Sequence, residues 1–422
     1  MKSALHPFIQ ALVTRLVSTG AASGIVMALL SFVQPAQGQT WKQTTAPVAN
    51  WVSVTSSADG MRLAALTTDG QAVLISTNGG TNWTWSSPTN GAAMGSCIRS
   101  SADGGVLVTC GFIDPTGEFA GDIIISTNSG ASWFTSTAPH LSWTGVASSA
   151  DGTMLVAVSA YRRSFGGGIM TSADSGSTWN PTDAAGLNVA YNGVACRADG
   201  LQVMAATDFI DTSANAGATW SQTFAPGSGW ASIAGSADGT RWAAASDNNG
   251  SGGGPIYLSS DSGVTWNPSS APITNWVSIA SSADGTRLAA VAAGTGIVPV
   301  GAIYMSSDSG ATWTTPVIPV GNWSSVASSA DGTKLVAAVH GGHIYTLRSA
   351  PSLVLNLQAT NGQAMVSWVL PSADVVLQQN TDLTSPNWTD VTGMPTLNLT
   401  NLREEFTAPQ ASGAIFYRLA GQ

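Results

Sequence analysis

The chain has 422 residues, of which 9% are charged, with a formal net charge of −9 and 47 glycines. A soluble globular chain normally carries about a quarter charged residues; here Ser, Thr, Asn and Gly take their place. This balance argues against a nucleic-acid partner, because phosphate contacts need clustered Lys and Arg.

Residues 1–38 read as a secretory signal. Lys2, His6 and Arg15 precede an apolar stretch from Ala21 to Val33, and Ala36-Gln37-Gly38 offers small residues before a cleavage point near Gln39. The apolar run is too short for a spanning helix, and no other segment reads as transmembrane. The mature chain is therefore expected to be secreted, extracellular or in the cell envelope.

Residues 39–348 repeat. Ala-Asp-Gly recurs at Asp59, Asp103, Asp151, Asp199, Asp238, Asp284 and Asp331, with spacings of 44, 48, 48, 39, 46 and 47 residues. Periods of roughly 40 to 50 residues suit propeller blades or helical arrays. Short β-branched and apolar runs broken by Gly, Asp and Ser, with no 3.6-residue period, select strands. Four strands, A to D, are expected per unit. The Asp-Gly pair reads as a two-residue type I′ turn between A and B. A second motif, Ser-x-Asp/Asn-x-Gly-x-x-Trp, falls between C and D in six units, from Ser76–Trp83 to Ser306–Trp313. Its acid or amide can accept turn amides, its Gly permits a left-handed backbone, and its Trp buries a ring. The seventh unit lacks this motif. Trp41-Lys42-Gln43-Thr44-Thr45-Ala46-Pro47 matches Trp266-Asn267-Pro268-Ser269-Ser270-Ala271-Pro272, so the N-terminal strand should complete the last blade. The expected fold is all-β, a seven-bladed β-propeller closed by its N-terminal strand.

Cys97 and Cys110 lie in strands A and B of the second unit. Counting outward from Asp103-Gly104 pairs them, at a narrow non-hydrogen-bonded position, and an oxidising compartment would join them. The alternative is two buried thiols. Cys196 reads as a small buried residue. After a short linker, residues 353–422 show strand-like runs and read as a small C-terminal β-sandwich.

The six Ser-x-Asp/Asn-x-Gly-x-x-Trp copies resemble the Asp-box, or BNR, repeats of sialidases, xyloglucan-degrading glycoside hydrolases, sortilin-type receptors and a photosystem II assembly factor. The resemblance covers residues 41–348 and implies a propeller in which the box is structural. The C-terminal segment is similar to short modules appended to secreted bacterial proteins. Sialidase chemistry does not carry over: the early Arg-Ile-Pro motif is absent, and Arg62, Arg241 and Arg287 belong to the repeated turn. Xyloglucan hydrolases set their acids between two propellers, and this chain has one. No basic patch supports the photosystem role.

Function is expected where the repeat varies, in the B–C loops. Glycoside hydrolysis needs two flanking carboxyls, and the acids available there are Asp114, Glu118, Asp208 and Asp211; the same oxygens would also suit calcium. No other cofactor is implied. Ligand-binding candidates are Tyr161, Arg162, Arg163, Asp247 and His340 in these loops. Trp51, Trp143, Tyr191, Trp230, Trp276 and Trp323 join them, each eight residues before its repeat Asp. These rings would form either an aromatic rim for a sugar or protein, or packing between blades. His340 and His343 lack an evident third zinc ligand. The leading expectation is a monomeric, non-catalytic binding or surface-interaction protein for a glycan or an extracellular protein. A polysaccharide-active glycoside hydrolase is the alternative, and a structural envelope component the third reading.

Overall fold

The computed structural model describes residues 41–68, 73–87, 95–111, 121–160, 168–182, 190–227, 229–247, 253–294, 301–318, 321–349, 355–360, 363–369, 375–382, 385, 387–409 and 415–421. Among the described residues there is no helix. Two compact units emerge: one spans Gln39–Ser349 and takes in Leu399–Leu402, and the other comprises Ala350–Asn398 and Arg403–Gln422.

The larger unit is a succession of antiparallel three- and four-stranded sheets, each centred on one Ala-Asp-Gly turn, with the first and last joined into one eight-stranded sheet where Ala49 and Asn50 pair with Gly342 and His340. The third is typical. Trp143–Ser148, Leu155–Ser159, Ile169–Ser172 and Asn180–Pro181 pair in chain order as strands A to D. In the sixth, the outer strand is reduced to a bridge between Met305 and Thr314. The last sheet takes its outer strand from the other end of the repeat. Trp41–Gln43 pairs with Ile344–Arg348, Trp41 opposite Leu347 and Gln43 opposite Tyr345. The strand-B segments Leu63–Thr67, Leu155–Ser159, Trp242–Ser246 and Leu288–Ala292 are buried along their whole length. Both of their faces meet neighbouring strands, which is why they read as continuous apolar runs rather than alternating ones.

The repeated turn differs from the sequence expectation. A type I′ turn needs positive φ at both central residues, yet Gly60 (φ +68°) is left-handed and Asp59 is not. The Gly60 amide donates to Ser57 O at 3.0 Å, so Ala58 and Asp59 are the central residues of a type I turn and Gly60 follows in the left-handed region. Side chains impose this choice. The Asp59 carboxylate accepts from Ser57 Oγ at 2.5 Å and from the Met61 amide at 2.9 Å, and Ser57 Oγ accepts from the Arg62 amide at 2.9 Å. In the fourth unit Arg197 stands in the serine position and its Nε donates to Asp199 Oδ1 at 2.7 Å.

The same turns link the sheets into a closed cycle. The Ala58 amide donates to the Ala102 carbonyl, Ala102 to Ala150, Ala150 to Ala198, Ala198 to Ala237, Ala237 to Ala283, Ala283 to Ala330, and Ala330 back to Ala58, all at 2.7–3.0 Å. The A–B turns therefore converge on one end of a central channel, and the B–C and D–A loops lie at the opposite end.

The Ser-x-Asp/Asn-x-Gly-x-x-Trp turn closes on itself. Ser306 Oγ donates to Asp308 Oδ1 (2.8 Å) and accepts from the Gly310 amide (2.9 Å). Asp308 also accepts from the Thr312 amide (2.9 Å) and hydroxyl (2.6 Å), and Trp313 Nε1 donates to Gly310 O (3.0 Å). These bonds, with the Thr312 hydroxyl foremost, hold the Asp308 carboxyl down at about 2. Both Ser309 (φ +60°) and Gly310 (φ +86°) are left-handed.

Cys97 and Cys110 are joined in a disulfide with Cα atoms 5.5 Å apart. That spacing belongs to the wide, hydrogen-bonded pair of an antiparallel ladder rather than the expected narrow one.

In the smaller unit, Asn356–Thr360, Gln363–Val369, Arg403–Ala408 and Thr396–Asn398 form one sheet, and Thr389–Asp390, Val375–Asn380 and Phe416–Gly421 a second. Val366, Trp368, Leu377, Phe406, Tyr417 and Leu419 make a common apolar core.

Candidate functional site

The aromatic residues at the start of strand A do not form a rim. Trp51, Trp143, Tyr191 and Trp230 are 0% exposed, and Trp276 and Trp323 are 1% exposed. Each ring is covered by its own sheet and the neighbouring one. Trp230, Trp276 and Trp323 meet Tyr257, Tyr304 and Tyr345 edge-to-face with centroids 5.5, 5.1 and 5.5 Å apart. Trp51 Nε1 donates to Gly342 O at 3.1 Å and Trp276 Nε1 to Gly254 O at 2.9 Å, each acceptor belonging to the B–C loop of the preceding unit. Of the two expectations for these rings, packing between sheets is the one realised, and they present no stacking surface.

The carboxyl candidates are separated by environment. Asp211 is 7% exposed and sits in strand C of the fourth unit (Ile210–Ser213). Its Oδ2 accepts from the Tyr191 hydroxyl at 3.2 Å. Burial pushes the Asp211 carboxyl up from its ordinary range, while the Tyr191 bond partly opposes that shift. The Tyr191 phenol is raised too, by burial first and then by the Asp211 charge. This pair replaces the Trp–Tyr contact of later units: Tyr191 holds the Trp register and Asp211 the register of Tyr257, Tyr304 and Tyr345. Asp211 is thus part of the packing rather than a loop acid. Asp208 is exposed on the adjoining B–C turn.

Asp247 is half-buried, with its amide donating to Gly229 O at 2.9 Å. His340 is exposed, pairs across strands with Asn50, and donates its amide to Asn322 O at 2.8 Å. Asp114, Glu118, Tyr161, Arg162 and Arg163 lie outside the described residues. His140 Nδ1 lies 2.9 Å from Asp122 Oδ1, and among the described residues no grouping of three or more His, Cys, Asp or Glu could hold a metal ion. The Cys196 thiol is pushed up to about 12, chiefly by burial and secondly by Asp199, so it is not a poised nucleophile.

The loop end carries a different set of side chains. Val48 (60% exposed), Phe224 (92%), Ile273 (71%) and Val317 (100%) lie in D–A loops, and Phe209 (53%) in a B–C turn. Antiparallel order places all of these connections at the end away from the Ala-Asp-Gly turns.

Inside the channel toward that end, a cavity of about 120 Å³ is lined by Ser53, Arg99, Gly145, Gly193, Ser232 and Ser278, among others. Arg99 was not singled out by motif, because it belongs to none. Its register, four residues before the repeat Asp, is held elsewhere by Thr55, Ala147, Ala195, Ala234, Ala280 and Ala327. A long cation at a position otherwise kept small is the signal the sequence contained.

Solved structures share the fold of the larger unit. The GH74 xyloglucanase from Xanthomonas campestris matches at TM-score 0.55 and 14% identity, over 78% of this chain and 59% of that one. This chain thus spans little more than half the xyloglucanase's length. YCF48 from Cyanidioschyzon merolae matches at TM-score 0.52 and 17% identity, over 73% of this chain and 98% of that one. The RRP9 WD40 repeats match at TM-score 0.56 and 12% identity, over 75% of this chain and all of theirs. The larger unit is a β-propeller. Identities this low carry the fold alone. Neither a protein-family model nor a curated protein sequence matches the chain.

Proposed function

We propose that the protein is a secreted, seven-bladed Asp-box propeller with an appended β-sandwich, and that its loop face binds another extracellular protein without turning it over. The observation that carries this reading is that separate loops at one end each present an exposed apolar side chain, Val48, Phe209, Phe224, Ile273 and Val317, while the turns at the other end present Leu201 and Val264. Large apolar groups repeatedly presented by connections at one end of a scaffold are a feature of protein-binding surfaces. Secretion is supported by the apolar segment within residues 1–38 and by the Cys97–Cys110 disulfide. A protein partner is preferred over a glycan because the tryptophans that would have stacked on sugar rings are buried. The hydrolase reading loses one of its four carboxyl candidates, because Asp211 is taken up by Tyr191. Among the known folds it resembles, one YCF48 structure is described as bound to the D1 peptide, which shows that such a scaffold can hold a polypeptide.

The test is crosslinking capture from the extracellular fraction, run beside a glycan array and product analysis on polysaccharides, with the mature chain and a Phe224→Ser/Val317→Ser variant. The expected result is a specific protein captured by the mature chain, at least tenfold less by the variant, with equal thermal midpoints and no released sugar. Sugar release would establish the hydrolase instead. Array binding without protein capture would move the ligand to a glycan.

A further inference from the structure

We propose that the central channel holds a small oxoanion, a carboxylate or tetrahedral anion, against the guanidinium of Arg99. The cavity of about 120 Å³ is too small for a folded segment but can hold one such ion. Arg99 is its cation. Among the described residues Arg99 forms no ion pair, and its side chain donates only to the carbonyl of its own neighbour Ile98, at 2.9 Å. Arg99 is half-buried in the channel wall, and a charge drawn partly out of water is normally paired. Burial lowers the Arg99 guanidinium from its ordinary value, as expected for a cation with no carboxylate beside it.

The rest of the lining supplies donors. Ser53 Oγ accepts from the Ile98 amide at 3.2 Å, Ser232 from Ile279 at 3.2 Å, Ser278 from Val326 at 3.3 Å and Ser325 from Val54 at 3.1 Å. Each hydroxyl therefore spends a lone pair on the next unit and keeps its proton to donate. The register of these serines is broken at Cys97, Gly145 and Gly193, in consecutive units. There the corresponding amides of Val146, Val194 and Ile233 face no serine, and a Cβ built at Gly193 would meet nothing nearer than 3.9 Å. The gap adjoins Arg99. Cation, hydroxyl protons and backbone amides on a lining without carboxylates form an environment complementary to an anion. The inference is independent of which partner the loop face takes.

The experiment is calorimetric titration of the mature chain with sulfate, inorganic phosphate, acetate and glucuronate at low ionic strength. It is repeated with Arg99→Ala and Arg99→Thr, residues that the other units already carry at this register. One site per chain is expected, weakened at least tenfold in both variants, since a charge-assisted bond is lost. Acetate binding without glucuronate binding would identify a free ion. Equal binding of the two would identify the anion as the end group of a larger ligand, and either result supports the site. No saturable binding of any of the four, or binding unaltered by both substitutions, would overturn it.

Discussion

Asp211 occupies a strand position that Tyr257, Tyr304 and Tyr345 hold in the last three units, and Tyr191 occupies the matching Trp position. Both side chains are smaller than the Trp and Tyr of the later units, and a hydroxyl–carboxyl bond replaces their edge-to-face contact. The substitution has a pH signature. The folded pKa of Asp211 is raised, so the folded chain holds that proton more tightly than the unfolded one. Its favourable contribution is complete below the ordinary carboxyl range and is lost as pH rises through the raised value. Asp211→Asn keeps an acceptor for Tyr191 and has no charge to bury. It is expected to be more stable than the parent at pH 7 by urea denaturation, with the gap closing toward pH 4. A gap that stays constant with pH would show that the Asp211 carboxyl titrates alike in the folded and unfolded chains. Asp211→Ala strands the Tyr191 hydroxyl and should cost about 1–3 kcal/mol at low pH, where the parent carboxyl is protonated, and less as pH rises through the raised value. The box aspartates behave oppositely. Asp308, held at about 2, contributes stability that is present above the ordinary 3.8 and lost as pH falls through about 2. Asp308→Asn, the residue that Asn78, Asn128 and Asn215 already supply in the same turn, should remove that acid sensitivity while leaving neutral stability nearly unchanged.

At the scale of the element, the box turn shows which constraints are local and which are not. The bonds that close it on itself join residues no more than four apart, so its existence and its residue roles are legible from the sequence, whereas the bond from the Ser309 amide to Thr286 O is not local. What lies beneath it is not legible there. A Cβ at Gly176 (φ +85°) would sit 1.9 Å from Ile125 Cδ1, a side chain of the preceding unit. Gly176→Ala therefore combines left-handed strain with overpacking and should destabilise by about 2–4 kcal/mol in urea titration. Ser175 (φ +55°) is also left-handed but is not a glycine. Ser175→Gly relieves strain of about 1 kcal/mol while adding unfolded-chain entropy of similar size, so its effect should stay within about 0.5 kcal/mol. The two neighbours thus separate crowding from conformation. The same distinction accounts for the other departures. Asp-Gly in its commonest use forms a two-residue turn, but here the serine two residues before the Asp binds its carboxylate and redirects the turn. The strand-A tryptophans looked accessible because their cover, Tyr257 or Tyr304, lies about 30 residues further on. Arg99 was invisible as a motif because only ring closure turns its register into a channel lining.

Ring closure is the property of the larger unit on which these sites depend, and a three-residue strand contributes to it beside the Ala330–Ala58 bond and the pairing of Ala49 and Asn50 with Gly342 and His340. Trp41–Gln43 is about 300 residues away from its partner Ile344–Arg348 in sequence. Trp41 is 7% exposed and packs in one core cluster with Tyr345, Leu347, Val291 and Trp323. Removing residues 41–47 would leave the Ile344–Arg348 edge unpaired and strip that cluster of its outer ring. Unpaired edges recruit strands from other molecules, so the truncated chain should both unfold at lower temperature and self-associate in size-exclusion chromatography. Trp41→Ala separates the two effects. It keeps the backbone ladder and loses only the buried ring, so it should cost about 3–5 kcal/mol while remaining a monomer. Adding the 41–47 peptide in excess should return the truncated chain to monomer and raise its thermal midpoint, because binding to the folded form alone stabilises it by mass action. A truncated chain that is as stable and as monomeric as the parent would mean that the cycle of alanine amides at the Asp-Gly turns holds the ring without the N-terminal strand.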